Sequence, residues 1–423
     1  MKSSLTIDRV IEPPARATRW PKMFIAMSEP QFRIFIVALL FTYLPMTMGM
    51  VTTGYLAYMI AGRATDLGLV TMAWGVPGLV LTFFAGVIAD RYDRRTIMLI
   101  TQTLVGLLTL AVGLLVQAGV IQVWHLAVSG FLQGTFFAFN MPARQGAVPD
   151  IVSEQHIANA VAVNNSFFSL CRIFGPTIAG VLIAFPAVGI AGVYFIMAAS
   201  SLFSSVALLR LKFPRRPSAV RKSMLAEIWA GFRYIAARPT LWAMILMALA
   251  FVSFGMPYMN LLPVYAVSVL AVDSAGLGML MTMQGVGALA GSLALGALSD
   301  YPRKAVVGLA AAVLFGVMLV GVALTSSFVI ASLLMILIGG LGNLYMSLNN
   351  TILMLNTDRD YLGRVMSVYM FTFSMMPLMV LPISAGADAF GVQITFAVLG
   401  LLVLVSIGLI VLFGPRQALL SDG

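Results

Sequence analysis

The stretch Gly86-Val87-Ile88-Ala89-Asp90-Arg91-Tyr92-Asp93-Arg94-Arg95 follows the second long apolar run of the chain. A weaker copy, Gly296-Ala297-Leu298-Ser299-Asp300-Tyr301-Pro302-Arg303-Lys304, follows the eighth. The two aspartates stand about half a chain length apart, so the chain is expected to be a duplicated unit. Its halves are 34–210 and 241–413, joined by a basic linker at 211–240 and flanked by tails at 1–33 and 414–423.

Composition says where those halves sit. Of 423 residues, 61% are hydrophobic and 9% charged, and the mean hydropathy is +1.00. A soluble domain carries about 25% charged residues. This chain cannot cover a water-facing surface of its size, which excludes an ordinary soluble enzyme and a membrane-anchored soluble domain. The apolar runs are continuous rather than alternating, which argues against a β-barrel. At about 20 residues per crossing, the runs predict an all-α membrane protein with twelve spans. They fall near 34–60, 67–89, 96–117, 123–145, 159–185, 188–210, 241–267, 276–298, 304–325, 327–350, 362–386 and 391–413.

The basic residues orient the spans. With the N-terminus in the cytoplasm, only Arg63 of the 25 Lys+Arg residues falls in an external loop, and Arg172 falls within a span. That bias predicts both termini inside. The first 30 residues lack an apolar core with a small-residue cleavage site, and are expected to be a tail rather than a signal peptide. In the linker, Leu225, Ile228, Trp229, Phe232 and Ile235 recur on one helical face behind Lys212, Arg215, Arg216, Arg221 and Lys222. This predicts a basic amphipathic helix on the inner membrane surface. The formal charge of +10 therefore reports membrane orientation and not a nucleic-acid partner.

In its loop signature, the chain resembles the major facilitator superfamily. The resemblance implies two pseudo-symmetric six-helix bundles, alternating access, a monomer, and residence in the bacterial cytoplasmic (inner) membrane. Further segments resemble the branch of enterobactin exporters and macrolide-efflux proteins: Pro142-Ala143-Arg144, Val148-Pro149-Asp150, Ala158-Asn159-Ala160, Arg172-Ile173-Phe174-Gly175-Pro176, Leu261-Leu262-Pro263 and Gly363-Arg364-Val365. That branch implies export of drug- or siderophore-like molecules by proton-coupled antiport, with the small molecule, protons and the bilayer as partners. Two departures stand out. Asp93 replaces the usual glycine of the loop signature. Gly130 stands where many proton-coupled exporters carry an arginine before Gln133-Gly134, so that relay role is not carried over.

Polar residues inside lipid are costly and face inward. They predict a substrate cavity of mixed character. Its candidates are Tyr43, Thr47 and Met50 of span one, Gln133, Phe137 and Asn140 of span four, and Asn165, Ser169 and Arg172 of span five. Span seven adds Tyr258, Asn260 and Tyr265; span ten adds Asn343, Tyr345 and Asn350. Gly175 and Pro176 are expected to weaken or kink span five. Gly86, Asp90, Arg91, Arg94 and Arg95, with Gly296, Asp300, Arg303 and Lys304, are candidates for a conformational latch at the inner helix ends. No Asp or Glu falls mid-span. Neutral or anionic amphiphiles therefore fit better than cations, and a proton carrier would have to be Asp66, Asp90 or Asp388 at helix ends.

With one cysteine, Cys171, two histidines and no buried carboxylates, the parts for a metal site or intramembrane catalysis are missing. No phosphate-binding glycine loop followed by lysine occurs, so ATP is not the fuel. No cofactor is expected. A lipid or lysolipid flippase and an uptake facilitator share the same architecture and stand as alternatives within transport.

Overall fold

The computed structural model describes residues 22–211, 224–297, 301 and 303–413; the side chains at 22–23, 82–84, 86–87, 89–91 and 224–228 lie outside that description. Among the described residues the chain is all-helical. Six helices form the first half: α1 (Pro30–Ala61), α2 (Ala64–Arg91), α3 (Arg94–Gln117), α4 (Val123–Ile151), α5 (Ile157–Ala184) and α6 (Gly189–Leu209). A short α7 (Met224–Ala236) leads into the second half. There follow α8 (Pro239–Ala250), α9 (Tyr258–Ser268), α10 (Ser274–Ala297), α11 (Lys304–Ala323), α12 (Phe328–Leu355), α13 (Leu362–Phe373), α14 (Met376–Phe390) and α15 (Val392–Phe413).

Among the described residues, eleven helical segments are long and apolar enough to cross a membrane. Two are compound, α8 with α9 and α13 with α14. Helix α4 has the length, 29 residues, but Gln133, Asn140, Arg144, Gln145 and Asp150 dilute its apolar character. The protein is an integral, multi-pass membrane protein.

Three of the expected spans carry internal features that the apolar runs do not give. The seventh span is not continuous: a π-helical turn, Phe251–Gly255, separates α8 from α9 just before Pro257. The eleventh breaks after Phe373, where Pro377 can occupy the first turn of α14 without losing an intrahelical bond. Conversely, α5 runs unbroken through Gly175-Pro176. These two residues form a packing point: Gly175 sits directly on Thr47 of α1, and the Pro176 carbonyl lies against Gly278 of α10. Helix α4 also continues to Ile151, past the expected end at 145, because Arg94 holds both the Gly146 carbonyl and Asp150 near its terminus.

The two halves use matching contacts. Helix α2 packs on α4 and α10 on α12. Each pair closes through a glycine laid on a backbone carbonyl, Gly134 on Trp74 and Gly287 on Ile336. Between the halves, α5 packs on α10 and α2 on α14. These junctions lie toward the ends that carry Gly62, Ala184, Ser274 and Phe390. There Ser274 Oγ donates to the Gly180 carbonyl at 3.1 Å, the Thr177 and Thr282 hydroxyls hydrogen-bond, and Gly75 meets Pro377. Toward the opposite ends, which carry Arg94 and Arg95, no hydrogen bond joins the halves among the described residues. Among the described residues, the hydrogen bonds between the halves gather toward the Gly62 face.

Helix α7 docks on the Arg94 face of the second half. Tyr234 stacks on Tyr361 at 4.2 Å, accepts from the Asp358 amide at 3.0 Å, and lies under the Arg238 guanidinium, which pairs with Asp358 at 2.8 Å. Trp229 and Phe232 remain exposed. The expected amphipathic helix is therefore split between protein and surroundings. The basic stretch at 212–223 lies outside the described residues.

Candidate functional site

On the side of the Thr177–Thr282 contact away from the Gly62 face lies a cavity of about 290 Å³, at the lower end of the roughly 300–1,000 Å³ typical of ligand pockets. One lining residue, Arg172 of α5, comes from the first half. The second half supplies an aromatic wall of Phe251, Tyr258, Phe315, Tyr369 and Phe373, a polar row of Gln284, Asn343, Ser347 and Asn350, and Met256, Met346 and Met370. Asn343, Ser347 and Asn350 recur at helical spacing on α12, so one face of that helix forms the polar row. The π-turn brings Phe251 against Phe315 at 4.7 Å and Tyr345 at 4.6 Å. No Asp or Glu lines the cavity, and among the described residues Arg172 makes no ion pair.

The other expected cavity residues divide. Asn165 and Ser169 are exposed on the same face of α5 as half-buried Arg172. Met50 is exposed. In the first half, most of the polar stripe bonds helix to helix. Tyr43 donates to Asn164 at 2.9 Å, Thr47 donates to the Cys171 carbonyl at 2.9 Å, and Asn140 donates to Thr101 at 2.8 Å. Gln133 donates to Ser129 within α4, and Phe137 packs on Trp74 at 5.4 Å. Three candidates of the second half lie outside this cavity's lining. Tyr265 is fully buried and donates to the Val322 and Thr325 carbonyls at 3.1 and 2.9 Å, which ties α9 to the end of α11 near the Gly62 face. Tyr345 sits behind the aromatic wall, bonded to Asn349 at 3.4 Å and lining a separate small gap with Met244. Asn260 is not among the lining residues, and its buried side-chain nitrogen has no partner among the described residues.

Arg144 continues the polar stripe of span four, one turn beyond Asn140. It is buried within α4. Its guanidinium lies 4.8 Å from the centre of the Tyr43 ring and donates to the Met141 sulfur at 3.0 Å. Sequence reasoning passed over Gln284, a lone amide in an otherwise apolar helix, which the cost of intramembrane polar groups could have flagged.

Asp388 carries the clearest contact between the halves. From the end of α14 it accepts from the Ala64 amide at 2.6 Å, the Thr65 amide at 2.8 Å and the Thr65 hydroxyl at 2.5 Å, with Arg63 at 4.0 Å. A carboxylate from one half thus caps the first turn of α2 in the other. Asp66 lies in that same first turn.

At the Arg94 face, the loop signature is held within the first half. Arg94 pairs with Asp150 at 2.5 Å, and Arg95 donates to the Leu208 and Leu209 carbonyls at the end of α6. Asp93, where a glycine is usual, accepts from the Thr96 amide at 3.0 Å and the Thr96 hydroxyl at 2.8 Å, which makes it the N-cap of α3. The side chains of Asp90 and Arg91, with Gly86, lie outside the described residues. In the second loop Asp300 does too. Gly296 faces open space, Arg303 precedes α11, and Lys304 donates to the Tyr301 carbonyl at 3.2 Å.

A family model described as transmembrane secretion effector matches residues 22–417. A staphyloferrin A transporter of Staphylococcus aureus is 28% identical over 80% of this chain and 85% of its own length. A multidrug efflux pump of Mycolicibacterium fortuitum is 27% identical over 84% and 88%. The fold also matches a bacterial homolog of the human lysosomal transporter Spinster, crystallised inward-facing and unoccupied. That match has a TM-score of 0.70 at 15% identity and covers 89% of this chain and 95% of the other.

Proposed function

The chain belongs to the transmembrane secretion effector family of the major facilitator superfamily, and from that premise we propose that it exports hydrophobic or amphiphilic small molecules by alternating access, neutral or anionic ones in preference to cations. It is a secondary transporter and not an enzyme. The siderophore and multidrug relatives match at similar identity, so the reading takes in both kinds of cargo.

In this reading α4 is the twelfth span, and the two sets of six form pseudo-symmetric bundles. The Arg94 face is cytoplasmic, both termini are inside, the membrane is the bacterial inner membrane, and the protein works as a monomer. The observation that carries the reading is the cavity itself. It brings Arg172 of the first half against the second and is lined by aromatic, methionine and amide side chains around that one arginine. An adaptable wall of that kind suits varied apolar cargo.

Protons are the proposed coupling ion, and Asp66, Asp90 and Asp388 are the proposed carriers. Protonation of Asp388, which the Ala64 and Thr65 donors oppose, would weaken the cap between the halves at the Gly62 face. The loop signature around Asp90 is the proposed latch for the opposite face. Asp90→Asn is expected to be made in normal amounts and to transport poorly; normal transport would exclude the latch.

The deciding experiment energises everted vesicles from an efflux-deficient host and adds neutral, anionic and cationic amphiphiles. Uptake of anionic or neutral compounds with substrate-dependent proton release is the expected result. Uptake that survives collapse of the proton gradient would make the protein a facilitator or a differently coupled carrier.

A further inference from the structure

We infer that Arg172 is the anion-recognising residue of the cavity and that the cargo is an amphiphilic organic carboxylate, its carboxylate on the first half and its apolar body on the second. This inference deepens the export reading and rests on it.

Arg172 is the one cavity residue contributed by the first half, and the acid that would neutralise it is absent from the lining. Among the described residues its electrostatic neighbour is the Tyr258 hydroxyl, which carries no negative charge to compete with an anion. Its planar fork matches a carboxylate with two parallel hydrogen bonds. The adjacent backbone is fixed. The Thr282 hydroxyl donates to the Ile173 carbonyl at 3.3 Å, and Gly285 lies against the Ile173 side chain and backbone. The backbone that carries the arginine is thereby held at the α5–α10 junction. Facing it, Phe251 and Phe315 provide an apolar wall, and Asn350 has a buried carbonyl oxygen without a partner among the described residues.

Charge decides the class. A cationic cargo would meet an uncompensated positive charge in a medium that screens poorly. A neutral cargo would leave the guanidinium unpaired as the halves close on it. A carboxylate satisfies the arginine and links the halves through itself. Arg144, which is buried, already has the Tyr43 ring and the Met141 sulfur, and it does not line the cavity.

The test uses the full-length protein in lipid nanodiscs and three probes of one shape: 2-naphthoate, 2-naphthamide and 2-naphthylmethylammonium. Wild type is expected to prefer naphthoate over naphthamide and to bind the ammonium weakest. Arg172→Gln is expected to reduce the naphthoate-to-naphthamide preference by about tenfold or more, the scale of a charge-assisted pair. Arg172→Lys, which keeps charge but loses the fork, should retain part of it. Monodisperse elution and unchanged thermal unfolding of both variants separate lost recognition from lost folding. An unchanged preference in Arg172→Gln, strongest binding of the ammonium, or no naphthoate binding by wild type would each overturn the inference. Failure of the export reading registers elsewhere, as no accumulation of any probe by wild-type everted vesicles, while the binding preference still decides the role of Arg172.

Discussion

Tyr258 and Tyr265 sit two helical turns apart on α9, and both are fully buried, yet they do different work. Tyr258 lines the cavity beside Gln284. Tyr265 closes two carbonyls at the end of α11. Tyr265→Phe should therefore cost about 1 kcal/mol of stability, the usual net worth of a buried hydrogen bond, and leave cargo preference alone. Thermal unfolding beside the vesicle panel reads both, and a changed preference would return Tyr265 to the cavity. Asp388 is the residue whose loss should act on conformation. Removing a carboxylate cap costs about 1 kcal/mol, which moves a two-state equilibrium roughly fivefold. Asp388→Ala should shift the Gly62 face toward opening. Spin labels at Ala61 and Phe390 are expected to show a longer-distance population in the variant. Identical distance distributions would deny the cap a part in closure.

Among elements, the glycine-lined pairs carry the steepest expectation. Gly287 lies on the Ile336 carbonyl, so any side chain there meets backbone rather than a movable side chain. Gly287→Leu should separate α10 from α12 and abolish the folded protein, seen as loss of the monodisperse peak on size-exclusion chromatography. A folded variant would mean the two helices can slide apart without harm. These elements were legible in the sequence to different degrees. The continuous apolar runs announced α1, α3 and α15 because lipid demands uninterrupted apolarity. The duplicated loop announced the pairing of halves. The breaks in the seventh and eleventh spans were less visible. Pro257 and Pro377 were the available signals, but whether a proline breaks a helix, as near Phe251–Gly255, or rides within it, as Pro176 does, depends on the neighbouring helix. The site was only partly legible for the same reason. Asn343, Asn350, Tyr258 and Arg172 reach the cavity, while Thr47, Asn140 and Tyr43 spend the same polarity on helix contacts. Spacing along one helix does not say which partner a hydroxyl meets, and the capping of α2 by Asp388 joins residues more than half a chain apart.

For the whole molecule, the geometry makes a claim about sidedness and state together. The halves meet through α5 with α10 and α2 with α14, and among the described residues the hydrogen bonds that join them gather near the Gly62 face. If the basic residues mark the cytoplasmic side, the cavity is expected to open inward. Single cysteines can test both parts once native Cys171, itself buried, is replaced by serine. In intact cells a membrane-impermeant maleimide should label Arg63→Cys, since Arg63 is well exposed and its 4.0 Å pairing with Asp388 is a rim contact of small energetic weight. It should not reach Arg303→Cys. In everted vesicles Arg303→Cys and Ser169→Cys should label, the latter because Ser169 lies exposed on the α5 face that leads to Arg172. Ser274→Cys should resist reagent from either side, because Ser274 is buried and bonded to the Gly180 carbonyl across the closed junction. Labelling of 303 but not 63 in intact cells would reverse the orientation. Labelling of 274 from outside, together with protection of 169 in vesicles, would keep the orientation but make the opposite state the resting one, with the Asp388 cap broken at rest.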